Sequence, residues 1–237
     1  MPKWGISYRI YLHKKVKHKP VFFGRQVCPV YLIVTFGHRS LNFKSHIFSH
    51  LLKEKYQFSL PLKKQQPTVE DIMEIEKQLI EFILRKHRHH IDLEAFRWEY
   101  LFYSFDILDA MDEQYKRFLV DFFEAESVPS IAHLIASTTG TLTTDVILQD
   151  LQKSLSPVIR KKMLRSVLLA SLPYIPLSKF NNSKNRNNFS IMPLFRISEK
   201  KSGNEAILFF RKNYPNLEFD LENYLAELKD RFVPVVK

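Results

Sequence analysis

Acidic residues are almost missing from the first part of this chain. Residues 1–64 hold Glu54 alone beside 13 Lys and Arg, a balance of +12, while the other 173 residues carry 23 basic and 24 acidic side chains. The formal +11 of the whole chain therefore lies at one end. Cysteine is scarce too. Cys28 stands alone, which excludes an intrachain disulfide and a cysteine-based zinc site and suits a small buried residue in a reducing compartment. Glycine occurs only 5 times, and neither a G-x-G-x-x-G nor a G-K-[ST] string is present, so no glycine-rich phosphate loop can be assembled. No apolar run approaches the roughly 18 residues of a membrane span, and no apolar leader follows Met1. The expected setting is the cytoplasm, with no membrane partner.

What is present is a core-forming chain of 237 residues, 45% hydrophobic with 20 Phe, enough for one large domain or two small ones. Residues 6–12 and 30–36 alternate or cluster β-branched and aromatic types and predict strands. Residues 40–48 alternate again, and Gly37-His38 is the turn between the last two runs. Together they predict a small antiparallel sheet carrying Lys, Arg and aromatics. Such a sheet needs something packed on one face, and residues 50–56 are the nearest candidate helix. Residues 61–67 look like a linker, which places the boundary between a basic β-rich module, 1–66, and a mainly helical domain, 67–237.

In the second part the period changes to that of helices. Thr68 with Asp71 three residues on is a capping signal, and Ile72, Ile75, Leu79 and Phe82 follow at helical spacing. Asp92 is expected to cap a helix running to about Leu108, and Asp112 to open the next. Short helices are expected over 129–137, after Thr143, after Ser156-Pro157 and after Asp220. Residues 175–190 look irregular and polar, with an asparagine-rich loop near 181–188. Residues 191–210 admit a hairpin, or a helix over 205–214; periodicity does not decide between them. The fold class is α+β, mainly helical: a small basic antiparallel sheet followed by a helical bundle.

The basic end supplies the candidate binding residues. Arg9, Lys14, Lys15, Lys17, Lys19, Arg25, Arg39, Lys44, Lys53 and Lys55 are the groups that would contact phosphates. The bland alternative is a solvated basic face, or one that meets an acidic protein. A possible second contact combines Thr143, Thr144, Lys153, Lys184 and Arg186, since residues 130–135, a turn and 143–152 have the look of a helix-turn-helix. The turn is longer than that motif uses, so two ordinary packed helices are the competing account. His46 and His50, spaced i, i+4 with Glu54 beyond, would share a helical face as metal ligands do, but no His-Glu-x-x-His string exists and lysines crowd the position. Asp71, Glu74, Asp106, Asp109 and Asp112 are the acids a hidden nuclease would draw on, and no spacing singles them out. No catalytic residue, metal site or cofactor is assigned.

The N-terminal string Ser7-Tyr8-Arg9-Ile10-Tyr11-Leu12, a basic loop, Pro29-Val30-Tyr31-Leu32-Ile33-Val34 and Arg39-Ser40-Leu41-Asn42-Phe43 resembles the arm-type DNA-binding domain of Bacteroidetes-type tyrosine recombinases. The resemblance implies a three-stranded sheet ahead of a helical core-binding domain, for which residues 69–172 would stand. It does not extend to that family's catalytic domain. No His-x-x-Arg string occurs in residues 100–237, His87-Arg88-His89-His90 comes far too early, and nothing around Tyr224 marks it as a nucleophile. What is implied is a DNA-binding piece without the chemistry, or an accessory protein of a mobile element. The expectation is non-enzymatic nucleic-acid binding, DNA favoured over RNA. The alternative is a structural or assembly protein of a phage or mobile element that docks an acidic partner or a second copy of itself.

Overall fold

A computed structural model describes residues 6–58, 66–88, 91–169, 173–184, 190–215 and 221–231. Five strands come first: β1 (Ile6–Leu12), β2 (Val21–Phe22), β3 (Arg25–Gln26), β4 (Val30–Phe36) and β5 (Arg39–Lys44). Two short helices follow, α1 (His46–Leu51) and α2 (Glu54–Phe58), and then three long ones, α3 (Val69–Lys86), α4 (Leu93–Ser104) and α5 (Ile107–Ala125). The chain continues through α6 (Pro129–Ser137), α7 (Thr144–Ser154), α8 (Pro157–Leu169), α9 (Tyr174–Lys184), α10 (Leu194–Ser198), α11 (Lys200–Asn213) and α12 (Leu221–Arg231). The fold is α+β and mainly helical, as its sequence pattern predicts.

The sheet has the order β1-β4-β5 and is antiparallel throughout. Register pairs Tyr11 with Tyr31 and Tyr31 with Lys44. Because side chains alternate, one face presents Tyr8, Ile10, Leu32, Val34, Leu41 and Phe43 to the interior. On that side Tyr8 donates its hydroxyl to Glu81 of α3 at 2.8 Å, and Phe43 meets Tyr100 of α4 edge-on at 4.7 Å. Burial first, and then the carboxylate of Glu81, push the Tyr8 hydroxyl up to about 12. The cover over the sheet is thus α3 and α4, in place of the short helix expected at 50–56. One continuous apolar core runs from Val30, Leu32 and Val34 through Ile72, Leu79 and Phe96 to Leu119, Leu177 and Leu194.

Several boundaries differ from expectation for identifiable reasons. The alternation at 40–48 stops at Lys44, because the Ser45 hydroxyl accepts the amide of Phe48 and starts α1. The helix capped by Asp92 ends at Ser104 rather than Leu108. Residues 105–107 pair with 192–194 instead, through Leu194 N–H to Phe105 O at 2.9 Å and Ile107 N–H to Met192 O at 3.1 Å. Asp106, not Asp112, opens the next helix, its carboxylate accepting the amide of Leu108 at 3.1 Å. Residues 175–184 of the stretch expected to be irregular belong to α9, which buries Tyr174, Leu177, Phe180 and Asn181. Asn181 to Lys184 are therefore helical, and the remainder of the asparagine-rich segment, 185–188, lies outside the described residues. Residues 200–213 take the helical alternative. Gly203 sits so close to α10 that an added Cβ would lie 2.8 Å from the Ile197 carbonyl oxygen, which explains a glycine in the first turns of α11. The linker at 61–65 and the Asp220 cap also fall outside the described residues. No described helix is long and apolar enough to cross a membrane.

A hydrogen-bonded knot joins the sheet to the helices. Ser45 and Tyr100 both donate to the same oxygen of Glu76, Tyr100 at 2.9 Å, while the His46 amide donates to Tyr100 at 2.9 Å. Glu76 is fully buried, and the Ile47 amide adds to the donors around its carboxylate. Burial raises its carboxyl to about 7 against the pull of those hydroxyl donors. The folded state therefore keeps a proton that the unfolded chain has already released. That contribution is complete below the ordinary value of 4.5 and is lost as pH rises through about 7. At about 1.36 kcal/mol per pH unit this amounts to ~3 kcal/mol. Glu76→Gln mimics the protonated form, so urea unfolding should find it ~3 kcal/mol more stable than the parent at pH ~8, with the two converging below about pH 4. A gap that does not change with pH would sink this account.

Candidate nucleic-acid interface

Opposite the packed face, the sheet turns Ser7, Arg9 and Tyr11 of β1, Tyr31, Ile33 and Thr35 of β4, and Ser40, Asn42 and Lys44 of β5 to the outside. Ser7, Arg9, Ser40, Asn42 and Lys44 are exposed, and no acid stands among the nine. The two tyrosines are cross-strand partners with ring centroids 6.0 Å apart, and His13 lies 5.0 Å from the Tyr31 ring. The Arg9 guanidinium sits over the Tyr11 ring at 5.8 Å, and the Tyr11 hydroxyl reaches Asn42 at 3.3 Å.

Residues 13–20 leave the end of β1 and carry Lys14, Lys15, Lys17 and Lys19, all exposed. Beyond them β2 and β3 form a tight hairpin that sequence patterning did not reveal. Its turn is Phe23-Gly24, both with positive φ (47° and 77°). Phe23 is held in this costly conformation by donating its backbone N–H to Gln57 Oε1 of α2 at 3.1 Å and by its ring packing on Phe22. Arg25 follows directly and is exposed. Arg39 lies just past the Gly37-His38 turn, also exposed. Arg9, Lys14, Lys15, Lys17, Lys19, Arg25, Arg39 and Lys44 form no ion pair among the described residues.

Lys53 and Lys55 belong elsewhere. Lys55 is 5% exposed and points inward, its ammonium bonded to Asp109 and 3.4 Å from Asp112. Lys53, half exposed, donates to Asp109 at 3.2 Å. Around them Lys116 pairs with Asp112 at 3.1 Å, His50 with Asp109 at 3.2 Å, and Tyr56 donates to Asp106 at 2.9 Å. An ammonium already neutralised inside the fold is not available to a phosphate. The same contacts account for Asp106, Asp109 and Asp112, the acids weighed for a nuclease: each is held by buried partners from α1, α2 or α5. His46 and His50 do lie on one helix, with rings 6.2 Å apart, but His50 turns to Asp109 while His46 turns to Ser104 at 2.8 Å. Burial, then His50 and Lys53, push His46 down to about 4. Among the described residues no group of three His, Cys, Asp or Glu is placed to hold a metal ion.

The possible second contact is not brought together. Thr143 and Thr144 are buried, and Thr144 anchors α7 on α5 by donating its amide to Asp112 at 2.8 Å and its hydroxyl to the Asp112 carbonyl. Lys153 pairs with Asp150 at 3.2 Å, Lys184 with Glu205 at 2.7 Å, and Arg186 lies outside the described residues.

Two further features escaped sequence reasoning. One is the Tyr11–Tyr31 pair, which only the strand register brings side by side. The other is a second basic tract, hidden by averaging over 65–237. Residues 151–198 contain nine Lys and Arg and no acid, whereas 65–150 contain seventeen acids and seven Lys and Arg. A count in shorter windows would have found it. Within this tract α8 exposes Lys161 and Arg165, while Lys162 is held by Glu126 at 2.6 Å. No family model, curated protein or solved structure matches this chain.

Proposed function

We propose that this protein binds nucleic acid without transforming it, DNA in the first place, through the exposed cations of residues 9–44. The observation that carries this reading is eight exposed Lys and Arg that form no ion pair among the described residues and lie in a stretch of chain, 1–64, whose one acid is Glu54. Keeping eight like charges together without counter-ions of their own costs electrostatic free energy, which a polyanion relieves. The sequence resemblance to an arm-type DNA-binding domain adds DNA as the expected polymer and a mobile element as the setting.

The test is a titration of the full chain with labelled double-stranded DNA, single-stranded DNA and RNA over a salt series. If half of the eight cations engage phosphates, affinity for duplex falls by about 10² between 50 and 200 mM salt. No binding to any of the three polymers at 50 mM salt, or binding indifferent to salt, would sink the proposal.

A further inference from the structure

We infer that the open face of the sheet holds a single strand of DNA, with bases laid on Tyr11 and Tyr31 and phosphates on Arg9 and Lys44; this rests on the nucleic-acid reading above and names the form of the polymer. The carrying observation is the composition of that face. Aromatic side chains on a sheet normally find the core, and here Tyr8, Phe36 and Phe43 do. Tyr11 and Tyr31 lie on the other side, paired across strands 6.0 Å apart, with His13 extending the row at 5.0 Å from Tyr31.

The row is bracketed by cations. Lys44 is the register partner of Tyr31 on the far strand, and Arg9 lies over Tyr11 at 5.8 Å. Half-buried rings on a sheet face with cations at the margins suit a stacking platform, on which an unstacked base can lie while its phosphates meet the charges. A duplex hides the faces of its bases in its own stack and offers such rings nothing. Ser7, Ser40 and Asn42 are exposed around the row and supply donors to base edges or phosphates.

The choice of DNA follows from Ile33. It occupies the middle of the same face, half-buried, one pleat along from Tyr31 and paired with Arg9 and Asn42. An aliphatic side chain beside the stacking row suits the C5-methyl of thymine, which uracil lacks. The lysines at 14, 15, 17 and 19 leave the same end of β1 as Tyr11 and can follow the strand's backbone beyond the platform.

The experiment is fluorescence anisotropy of the full chain with labelled oligo(dT) of ~12 nucleotides, a duplex of equal length and oligo(U), all near 0.1 M salt. Oligo(dT) should bind more tightly than the other two. Tyr11→Leu and Tyr31→Leu should each weaken oligo(dT) binding by about tenfold or more and leave duplex binding within about threefold, while Tyr31→Phe, which keeps the π-face, stays near the parent. Both leucine variants should melt like the parent, since neither ring serves the core. A second measurement on the unaltered protein, photocrosslinking to 5-iododeoxyuridine in the single strand, should label residues 6–12 or 30–36. Duplex bound as well as oligo(dT), with the leucine variants changing neither, overturns the inference and leaves the nucleic-acid reading standing. Crosslinks confined to other segments overturn it too, and equal binding of oligo(U) overturns the assignment to DNA. Failure of all three polymers to bind removes the underlying reading.

Discussion

Replacing Lys55 by Met should lower the free energy of unfolding by about 3–5 kcal/mol, the cost of removing one partner from a buried ionic group. The cluster balances only as a whole. Lys55, Lys116 and His50 face Asp106, Asp109 and Asp112, and five of these six residues are exposed by 7% or less. Methionine keeps the length and the apolar stem of lysine, so packing changes little and the loss is one of charge. Asp109 would keep His50 and the half-exposed Lys53, Asp112 would keep Lys116, and the three acids would face only two buried cations. Lys55→Met combined with Asp109→Leu should regain more than half of the loss, because an apolar replacement has no charge to desolvate. Urea unfolding of the parent, both single variants and the double closes the cycle. A cost below about 1 kcal/mol for Lys55→Met would mean that the pair behaves like a surface ion pair and would sink this account.

The pH of that measurement matters. Burial alone would lower the His50 imidazole, but hydrogen bonds and attraction from Asp106 and Asp109 outweigh it and hold the ring above its ordinary value. Its contribution is therefore complete below pH 6.5 and is lost as pH rises through the raised folded value. Burial alone would raise Asp109, but His50 and Lys55 outweigh it and hold the carboxyl well below the usual range. Its contribution is present above 3.8 and is lost as pH falls through the depressed folded value. Between those limits His50 and Asp109 are both charged, and there the Lys55→Met cost should be read.

Several local signals in this chain were legible. Thr68 and Asp71 form the reciprocal capping box that their spacing predicts, and Pro129 begins α6 as a first-turn proline should. Strands β1 and β4 appear at their expected residues because the period-2 pattern comes from one packed face. The misreadings come from long-range causes. Residues 175–184 look polar and broken, yet Tyr174 packs on Tyr115 at 5.3 Å and Phe180 on Phe209 at 5.6 Å, and that packing makes a helix of them. The helix stop at Ser104 depends on a partner 86 positions away from Asp106, Met192, whose amide donates to the Asp106 carboxylate at 2.8 Å.

The site divides in the same way. The excess of cations in residues 1–64 is a property of composition and needed no coordinates. Which of those cations are spent inside the fold depended on acids more than fifty residues away, so Lys55 could not be told from Lys44 in the sequence. Strand alternation alone shows that Tyr11 and Tyr31 each avoid the face of the packed residues. That they stand side by side depends on register, which hydrophobic pattern and turn geometry set together.

The charge at residues 14–17 gives the second large effect. Changing Lys14, Lys15 and Lys17 together to Glu should weaken DNA binding by about 10²–10³-fold near 0.1 M salt, since each lysine–phosphate pairing is worth close to one decade at that concentration. The slope of log affinity against log salt should fall by about 2 for a single strand and by nearly 3 for a duplex. Stability should change by no more than about 0.5 kcal/mol, because all three side chains are exposed and form no ion pair among the described residues. A control separates a local site from a general loss of positive charge. Lys77, Lys200 and Lys201 are likewise exposed, form no ion pair among the described residues, and alter the net charge of the protein by the same amount when changed to Glu. If the contact is local to residues 14–17, affinity of this control variant should stay within a few-fold of the parent. If the two triple variants lose affinity equally, the attraction comes from total charge and residues 14–17 have no special part in it. If only the first one does, the cations leaving β1 make the contact.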